Sequence, residues 1–338
     1  MYITMNTNIE ITQFRCERCN APYPLGADDV IATCPYCGYT YEIGSGEIEH
    51  YIVPNKLDKE SIIPFFRNWL ESISPKSVGR GIIKDVDNIT PMLEWIPIFR
   101  VEGSYASQYS GYQIIKGGSL LLPIDDSTTG KMTEWVLARR HAATYGIDKF
   151  IRSLKDSELS QFKLEVTEDS PVLNSEISLD DAYQRFQKIA KDRHRKAIEG
   201  VVLDHRFEIK PESANYVHVP YWLVRYTHQK GTFRVAVSGA TEEVLFSELP
   251  VTNRYRVRKW FIAFIVMILN AIIIQFAPYV ATYLGEDSGA EGATSLILIA
   301  MLISIALPFL MREAFLYEIE VDKDGNETRE WLGDERVE

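Results

Sequence analysis

The most apolar part of the chain lies near its C-terminus, where two long stretches carry no charged residue. Residues 261–284 provide 24 uncharged positions, and residues 294–311 provide 18 more. At about 1.5 Å per residue, the first stretch exceeds a hydrocarbon core of about 30 Å. The alternative, a buried hairpin in a soluble domain, would require a very large surrounding core. The pattern therefore predicts a transmembrane hairpin of two α-helices over residues 253–312, with spans at about 261–284 and 294–311.

Flanking charges predict how this hairpin is oriented. Basic residues precede the first stretch and follow the second: Arg254, Arg256, Arg258, Lys259 and Arg312. The connection carries only acids: Glu286, Asp287 and Glu291. Because cytoplasmic loops are enriched in Lys and Arg, we expect a multi-pass protein of the cell membrane with both termini in the cytoplasm. Residues 313–338 would then form an acidic cytoplasmic tail, whose "FLYEIEV" alternates like a strand and whose "DKDGNE" is typical of a turn.

Two amide side chains, Asn270 and Gln275, interrupt the first apolar stretch. Neutral amides inside a membrane hydrogen-bond to a neighbouring helix or line a water-filled path. With no charged residue in the span, we favour helix packing, such as a hydrogen bond from Asn270 to Ser304, or homo-oligomerisation. An accessory subunit of an oligomeric channel or transporter is the alternative.

The middle of the chain predicts an α+β region in two halves. In the first half, residues 49–130, apolar residues recur at helical spacing after Ser61, which can cap the helix. The positions of that apolar face are Ile62, Phe65, Phe66, Trp69, Leu70 and Ile73. A strand and hairpin are expected in "EWIPIFRVEGSYASQYSGYQI". A connecting helix at 131–156 and a linker would fill residues 131–177.

The second half, residues 178–252, repeats this order. Ser178 and Asp181 predict a capped helix that ends near Gly200. A three-stranded meander follows in "PYWLVRYT", "TFRVAV" and "EEVLF", separated by the turns "HQKG" and "SGAT". Residues 96–105 and 219–228 share a proline, an aromatic residue and a valine: Pro97 with Pro220, Phe99 with Trp222 and Val101 with Val224. We therefore predict an internal duplication.

All four cysteines of the chain lie in two C-x-x-C pairs: Cys16, Cys19, Cys34 and Cys37. Each pair suits a tight knuckle turn, and Gly38 permits a left-handed conformation directly after the second pair. Four thiolates around one ion make a closed, structural zinc site. Residues 1–48 are therefore predicted to be a small β-structured zinc ribbon with a structural Zn²⁺. Redox-active dithiols and a rubredoxin-type iron centre are the alternatives.

Charge and compartment limit the range of functions. The net charge of −11 argues against a nucleic-acid clamp, which needs clustered Lys and Arg. No basic segment followed by an apolar one precedes the ribbon, so we expect no cleavable signal peptide. The cysteines should therefore stay in a reducing cytoplasm, where such pairs favour metal over disulfides.

The four-cysteine module resembles zinc ribbons of the rubredoxin-like and transcription-factor class, which includes nucleic-acid binders, subunit-binding tags and structural caps. Together with a "YIVP…F..WL" helix, a "P.W.V.Y…G..F.V.V.G.T..V" meander and a C-terminal membrane segment, the chain resembles an uncharacterised group of prokaryotic zinc-ribbon membrane proteins. That group often carries names borrowed from primosomal, or replication-restart, proteins. The resemblance implies a scaffolding module. "STTGKMT" (127–133) lacks the first glycine of a phosphate-binding loop, so the name implies no helicase activity here.

The chain shows no catalytic motif, and we expect no enzyme activity. The six histidines match no hydrolase or metalloprotease pattern, and His218 is interpreted as a satisfied strand histidine. The second-half helix carries a basic stripe: Arg185, Lys188, Lys191 and Arg195. It is interpreted as a solvated face, with anionic lipid or nucleic acid as alternative ligands.

These observations favour a non-catalytic, membrane-anchored zinc-ribbon adaptor that holds a cytoplasmic protein partner at the membrane. A membrane-tethered nucleic-acid-binding factor is the first alternative.

Overall fold

The structure is a computed structural model. It describes residues 13–73, 86–114, 121–140, 145–154, 157–167, 170–228, 231–283, 286–315 and 318–326. The first twelve residues of the predicted ribbon and the last twelve of the acidic tail lie outside these ranges. The chain divides into two compact units. The first comprises Met1–Ile62, Pro91–Val224 and Ala236–Leu245, and the second Ile63–Thr90, Arg225–Val235 and Phe246–Glu338.

Short strands form the cysteine-rich N-terminal region. They are β1 (Gln13–Arg15), β2 (Pro22–Pro24), β3 (Ile31–Thr33), β4 (Thr40–Glu42) and β5 (Gly46–Glu47). β1 and β2 pair antiparallel, and β3, β4 and β5 form a separate antiparallel sheet. The region therefore consists of two small sheets, each carrying one cysteine pair at the end of its first strand.

Eight further strands form one larger sheet. The remaining elements are β6 (His50–Ile52), α1 (Ile62–Ser72), β7 (Asp87–Ile114), β8 (Leu121–Leu137), α2 (Ile147–Ser153), β9 (Ser160–Gln161), a 3-10 helix (Leu164–Thr167), α3 (Leu179–Ala197), β10 (Val201–His228), β11 (Gly231–Ser238), β12 (Glu243–Pro250), α4 (Asn253–Tyr283), α5 (Glu286–Phe315) and β13 (Glu318–Val321). The strand order is β13-β12-β11-β10-β6-β9, and β7 pairs with both β10 and β8. The predicted meander is therefore present as β10, β11 and β12.

The predicted helix over residues 131–156 is wrong for its first half. Residues 131–137 belong to β8, which pairs antiparallel with β7 from Ile98↔Leu137 to Ile114↔Leu121. Among the described residues of the remainder, only α2 is helical. Residues 141–144, 155 and 156 of the predicted helix lie outside the described residues. The long partner strand overrides the local helical pattern, because strand formation depends on cross-strand neighbours.

α1 has the predicted apolar face but a different cap. Phe66 and Leu70 are buried, and Phe66 packs on Tyr226 at a ring-centroid distance of 5.2 Å. Asp58 Oδ1 accepts the backbone N–H groups of Glu60 and Ser61, while the Ser61 hydroxyl accepts the N–H of Asp58. Asp58 therefore caps the first turn, since its carboxylate reaches two of the free N–H groups at once.

α3 begins as predicted and ends earlier. Ser178 and Asp181 form the capping box. The helix stops at Ala197, so Gly200 lies beyond its C-terminus with a φ of 124°. A Cβ at Gly200 would lie 2.4 Å from the Tyr112 carbonyl oxygen. Gly200 is therefore required by a close approach of β7 rather than by a helix cap.

The core of the first unit lies between α3 and the sheet. Phe186 and Ala182 of α3 pack on Phe99, Val136 and other fully buried side chains from β7, β8 and β10.

The predicted duplication is not confirmed. The matched residues Phe99 and Trp222 lie 12 and 21 residues into strands that start at Asp87 and Val201, so they occupy different points of the two strands.

Two long helices, α4 and α5, dominate the C-terminal part. Asn253–Tyr279 is long and apolar enough to cross a membrane, and only 17 % of its most apolar window is buried. The apolar segment of α5 within the described residues, Thr294–Pro308, is shorter. Within the described residues, one helix is therefore long and apolar enough to span a membrane.

After α5 the chain returns to the sheet. β13 pairs antiparallel with β12, from Ser247↔Val321 to Pro250↔Glu318, and Ile319 and Val321 are buried. The strand predicted from the alternation of "FLYEIEV" is confirmed over these residues. The turn that follows is closed by Asp322, and the Lys323 carbonyl accepts the indole N–H of Trp69 at 2.9 Å.

Gly111 tests how closely β7 and β10 approach. A Cβ at this position would lie 2.1 Å from the Val201 carbonyl oxygen, which is backbone and cannot move aside. We expect Gly111→Ala to destabilise the protein by about 2 kcal/mol through overpacking. Thermal unfolding of the full-length protein in detergent measures the effect. Ala106→Ser, at an exposed position of the same strand, is the control, and an equal shift in both variants would contradict the close approach.

Candidate metal centre

The four cysteines converge on one point. Their Sγ atoms all lie within 4.8 Å of one another, and the pairs Cys16–Cys37 and Cys19–Cys34 are 3.7 Å apart. A tetrahedral ion with metal–sulfur bonds of about 2.3 Å requires sulfur atoms about 3.8 Å apart, whereas a disulfide requires about 2.05 Å. The cluster could therefore hold a metal ion, as the spacing of the cysteines predicts.

The two cysteine pairs are built alike. Backbone N–H groups of Arg18 and Cys19 lower the pKa of the Cys16 thiol, and those of Tyr36 and Cys37 act in the same direction on the pKa of Cys34. Each knuckle is closed by a bond back to its first carbonyl, from Asn20 N to Cys16 O at 2.8 Å and from Gly38 N to Cys34 O at 2.9 Å.

The closing residue of each knuckle has a left-handed conformation. The φ of Gly38 is 70°, which confirms the sequence prediction, and the φ of Asn20 is 60°. Asparagine adopts this region more readily than most residues, so the N-terminal knuckle also carries a sequence signal, which our sequence analysis did not use. Both knuckles thus aim two sulfur atoms at the same centre.

Burial raises the pKa of the Cys16, Cys34 and Cys37 thiols, but the hydrogen-bonding groups around them shift their pKa values apart. Burial raises the pKa of the Cys34 thiol to about 12 and also raises that of Cys37. For Cys16, burial acts in the same direction, but the N–H groups of Cys19 and Arg18, together with the Cys19 and Cys34 thiols, outweigh it and lower the pKa to about 7. Metal ligation requires thiolates, so binding an ion here releases protons and weakens as the pH falls.

A small aromatic cluster supports the knuckles. The Phe14 ring stacks on Tyr41 at 5.3 Å, and the hydroxyl groups of Tyr23 and Tyr41 hydrogen-bond at 2.8 Å. Burial raises the pKa values of both tyrosines, so these hydroxyls stay protonated. This cluster joins β1 and β2 to β4.

The C-terminal knuckle is fixed in the core of the first unit. The Ser175 carbonyl accepts the N–H groups of Val30 and Ile31 at 2.7 and 3.2 Å, and Ser175 N donates to Ile31 O at 2.9 Å. The Thr33 N–H donates to Asn174 Oδ1 at 3.1 Å. Because Ile31 is 1 % exposed and packs with the α3 core, β3 is an integral part of this unit.

A chain of buried polar groups continues from β4 into the sheet. Thr40 Oγ1 lies 2.7 Å from His50 Nδ1, His50 Nε2 lies 2.6 Å from His218 Nδ1, and His218 Nε2 lies 2.7 Å from Leu173 O. The carbonyl can only accept, so His218 carries its proton on Nε2. His50 then donates from Nε2, and the Thr40 hydroxyl donates to His50 Nδ1.

One carbonyl therefore determines the tautomers of both histidines. Burial lowers the pKa of His218 to about 4 and also lowers that of His50, whose charge His218 would further oppose. The interpretation of His218 as a satisfied strand histidine is confirmed. Its link through His50 to the cysteine region was not visible in the sequence, because 168 residues separate the two histidines.

The basic stripe on α3 is only partly available to a ligand. Arg185 Nη1 donates to the carbonyl groups of Leu137 and Arg139, so its guanidinium terminates β8. Lys188, Lys191 and Arg195 are exposed. A shallow groove of about 520 Å³ lies between the two lysines and β10 residues including Phe207. The structure therefore retains three of the four cations on one surface.

A larger groove, of about 820 Å³, lies where α3 ends above β7 and β8, and it was not predicted from the sequence. It is lined by Tyr105, Tyr109, Asp126 and His194, among others. His194 stacks on His205 at 5.3 Å. No sequence signal could have identified it, because its residues come from distant segments with no shared motif.

The two amides of α4 have different surroundings. Asn270 is buried, and its Nδ2 donates to Ser304 Oγ at 2.9 Å, which is the expected hydrogen bond. Gln275 is exposed and has no hydrogen-bond partner within the described residues. The fold therefore does not bring the two amides together.

No protein-family model, no curated protein and no solved structure matches this chain. What can be concluded about the cysteine cluster and the apolar helices therefore follows from their own geometry.

Proposed function

We propose that the chain is a non-catalytic adaptor that is anchored in a membrane and holds a cytoplasmic protein partner through its zinc ribbon. The observation that carries this proposal is that one side of the cysteine cluster is fixed in the core and the other side is exposed to solvent. Its inner side is fixed in the core through Ile31 and Ser175, whereas Cys19 and Tyr36 face solvent. A rigidly mounted, exposed knuckle is suited to binding a partner.

Zinc is the ion that we propose for the cysteine cluster. Four sulfur ligands with the observed spacing satisfy a tetrahedral ion and leave no open position for substrate, so Zn²⁺ would act structurally. The residues that would hold it are Cys16, Cys19, Cys34 and Cys37. Iron in the same ligand set is distinguished by elemental analysis of the purified protein.

We propose that α4 and α5 both cross the membrane. A chain that leaves a sheet and rejoins it must cross an even number of times, and β13 pairs with β12, which directly precedes α4. At the shared end, Arg256 Nε donates to Ala314 O at 3.3 Å, and Trp260 packs edge-on against Phe315 at 4.8 Å. Two spans with both ends on one side agree with the flanking basic residues.

The contact surface between α4 and α5 supports the same conclusion. Ala263, Asn270 and Ala277 are buried at seven-residue spacing along α4, and Ala300 and Ala314 are buried on α5. Small residues let transmembrane helices approach closely. Large apolar residues of both helices remain exposed, for example Phe264 and Leu302 at 53 % and 67 %. Such an apolar exterior requires lipid around the pair.

The exposed part of the ribbon favours a protein partner. Tyr36 is 65 % exposed and Ile43 is 44 % exposed. Aromatic residues are enriched among the anchors of protein interfaces. The charges nearby are mixed rather than basic, since Arg15 and Arg18 are accompanied by Glu17, so phosphate binding by the ribbon is disfavoured.

We expect Tyr36→Ala to weaken partner binding about tenfold or more while the protein retains its metal. The full-length protein is purified from native membranes in mild detergent, with and without nuclease, and co-purifying proteins are quantified. Tyr36→Phe is the matched control, because it keeps the ring. The double variant Cys16→Ser/Cys34→Ser should lose the metal and the folded N-terminal knuckle, and should therefore bind the partner more weakly than the original protein.

A partner retained by Tyr36→Ala would contradict this binding surface. Recovery of RNA or DNA that is lost with nuclease would instead favour a membrane-tethered nucleic-acid-binding factor. That second candidate is supported by the exposed Lys188, Lys191 and Arg195, and neutralising these three residues would then abolish the recovery.

A further inference from the structure

Gln275 is a polar residue on the outer surface of the helix pair. It lies five residues after Asn270, which at 3.6 residues per turn places it on a different face of α4. Its neighbours along the chain, Ile274 and Phe276, are 55 % and 59 % exposed. Within the described residues no side chain of α5 hydrogen-bonds to it. Among the described residues, the helix pair therefore offers this amide no hydrogen-bond partner.

The depth of Gln275 makes this exposure costly. In a span of residues 261–284 it lies 14 residues from one end and nine from the other, or about 21 and 14 Å at 1.5 Å per residue. Neither headgroup region is within reach of a glutamine side chain. An unpaired amide in hydrocarbon is unfavourable, since the bilayer core contains no water to replace the missing hydrogen bonds.

The surroundings of Gln275 permit close approach of another helix. Ala271, one turn earlier on the same face, is small and exposed. Ile268, Ile272 and Tyr279 flank it and are exposed by 43 %, 46 % and 56 %. This surface of α4, which we call the Gln275 face, combines a small residue, packing side chains and one polar group.

We propose that the Gln275 face binds the same face of a second copy, so that the two Gln275 amides hydrogen-bond to each other in a membrane dimer. This inference rests on the proposed insertion of α4 in a membrane.

A second copy satisfies the chemistry of the amide. Glutamine carries both a donor and an acceptor, and a two-fold axis along the membrane normal places the same residue at the same depth in both copies. Two reciprocal N–H···O bonds then form without any charged group. Asn270 does not compete, because its donor already binds Ser304 inside the helix pair.

The test measures self-association of the full-length protein in lipid bilayers. Donor- and acceptor-labelled copies, tagged at the C-terminus, are reconstituted together at increasing dilution, and energy transfer is recorded. We expect Gln275→Leu to weaken dimerisation about tenfold, as the loss of two intramembrane hydrogen bonds of modest strength predicts. Gln275→Asn, which keeps an amide, should retain part of it.

A matched control places the amide on another face. The double change Ile274→Gln/Gln275→Ile exchanges the two residues, so it keeps the composition of the span, and it should not support dimerisation. Equal energy transfer in the original protein and in Gln275→Leu would overturn the inference, as would a monomer in pure lipid that associates only when native membrane proteins are added. The latter result would assign the Gln275 face to a different membrane protein.

Failure of the proposed function is detected separately. If alkaline carbonate extracts the protein from native membranes, membrane insertion itself is wrong. If the protein resists extraction but stays monomeric, only the dimer is wrong.

Discussion

Removing the metal with a chelator is expected to unfold residues 13–24 and to leave β3 folded and hydrogen-bonded to Ser175. Within the described residues, the backbone hydrogen bonds of β1 and β2 join these two strands and close their own knuckle. Among the described residues, the sulfur atoms and the apolar cluster shared with Ala32, Tyr39 and Tyr41 attach this segment to the rest of the unit. Metal binding by zinc-finger peptides is worth about 10–16 kcal/mol, so its loss should release the segment completely.

β3 should behave differently, because its stability does not depend on the ion alone. Ile31 exchanges two backbone hydrogen bonds with Ser175 and packs in the core beneath α3. The chain from Thr40 through His50 to His218 holds β4 at its other side. The C-terminal half of the cysteine region is therefore expected to remain folded in the metal-free protein.

Hydrogen exchange followed by mass spectrometry of the full-length protein in detergent distinguishes the two halves. Peptides that cover residues 14–24 should exchange like an unfolded chain after chelation, while peptides that cover 30–34 keep their protection. Cys19→Ser, at the exposed ligand, should reproduce the effect without chelator. Loss of protection in both halves would show a single metal-dependent module and contradict the asymmetry.

Lowering the pH from about 6.5 to about 4 is expected to destabilise the first unit by about 3 kcal/mol through His218. Burial lowers the pKa of this residue to about 4, whereas an unfolded histidine has a pKa of about 6.5. In this window the unfolded chain binds a proton that the folded chain does not, so stability decreases as the pH falls. His50, whose pKa is lowered in the same direction, adds to the effect.

The hydrogen bonds of the two histidines explain why the folded protein does not tolerate protonation of His218. Each ring nitrogen of the two histidines already has a partner, and His218 Nδ1 accepts from His50. A proton added to Nδ1 would place two donors 2.6 Å apart in a site without solvent.

The local opening free energy of β6 and of β10 around His218, obtained from hydrogen exchange at several pH values, measures this effect. His218→Gln should be less stable at neutral pH but should lose most of the pH dependence, because an amide does not titrate. His194→Gln is the control, because His194 lies on α3 and outside the hydrogen-bonded chain of Thr40, His50 and His218. This variant should keep the pH dependence of stability. An unchanged slope in His218→Gln would assign the pH dependence to other groups.

Features set by short segments were predictable. The knuckle at Cys34–Gly38, the capping box of α3 and the apolar face of α1 each depend on residues within one or two turns of one another. The same holds for the apolar character of α4 and for the alternation that predicts β13. In these segments, backbone conformation and burial follow from local residue types.

Features that depend on distant partners were not predictable. The helix expected at 131–137 became part of β8, because 17 residues of β7 pair with that strand. Asp58 replaced Ser61 as the cap of α1, since the chain before the helix curls back on itself. Arg185 was assigned to an exposed cationic surface, but it binds the carbonyl groups of Leu137 and Arg139.

By itself, the sequence determined that this protein has a cluster of four cysteines that could hold a metal ion, a capped helix followed by a meander, and an apolar C-terminal region. Only the tertiary structure decided that β3 is fixed in the core, that His50 and His218 join the ribbon to the sheet, and that Asn270 is paired whereas Gln275 is exposed. The physical reason is the range of the interactions. Turn geometry, capping and apolar periodicity act within a few residues, whereas buried hydrogen bonds and strand pairing form only after the chain has folded.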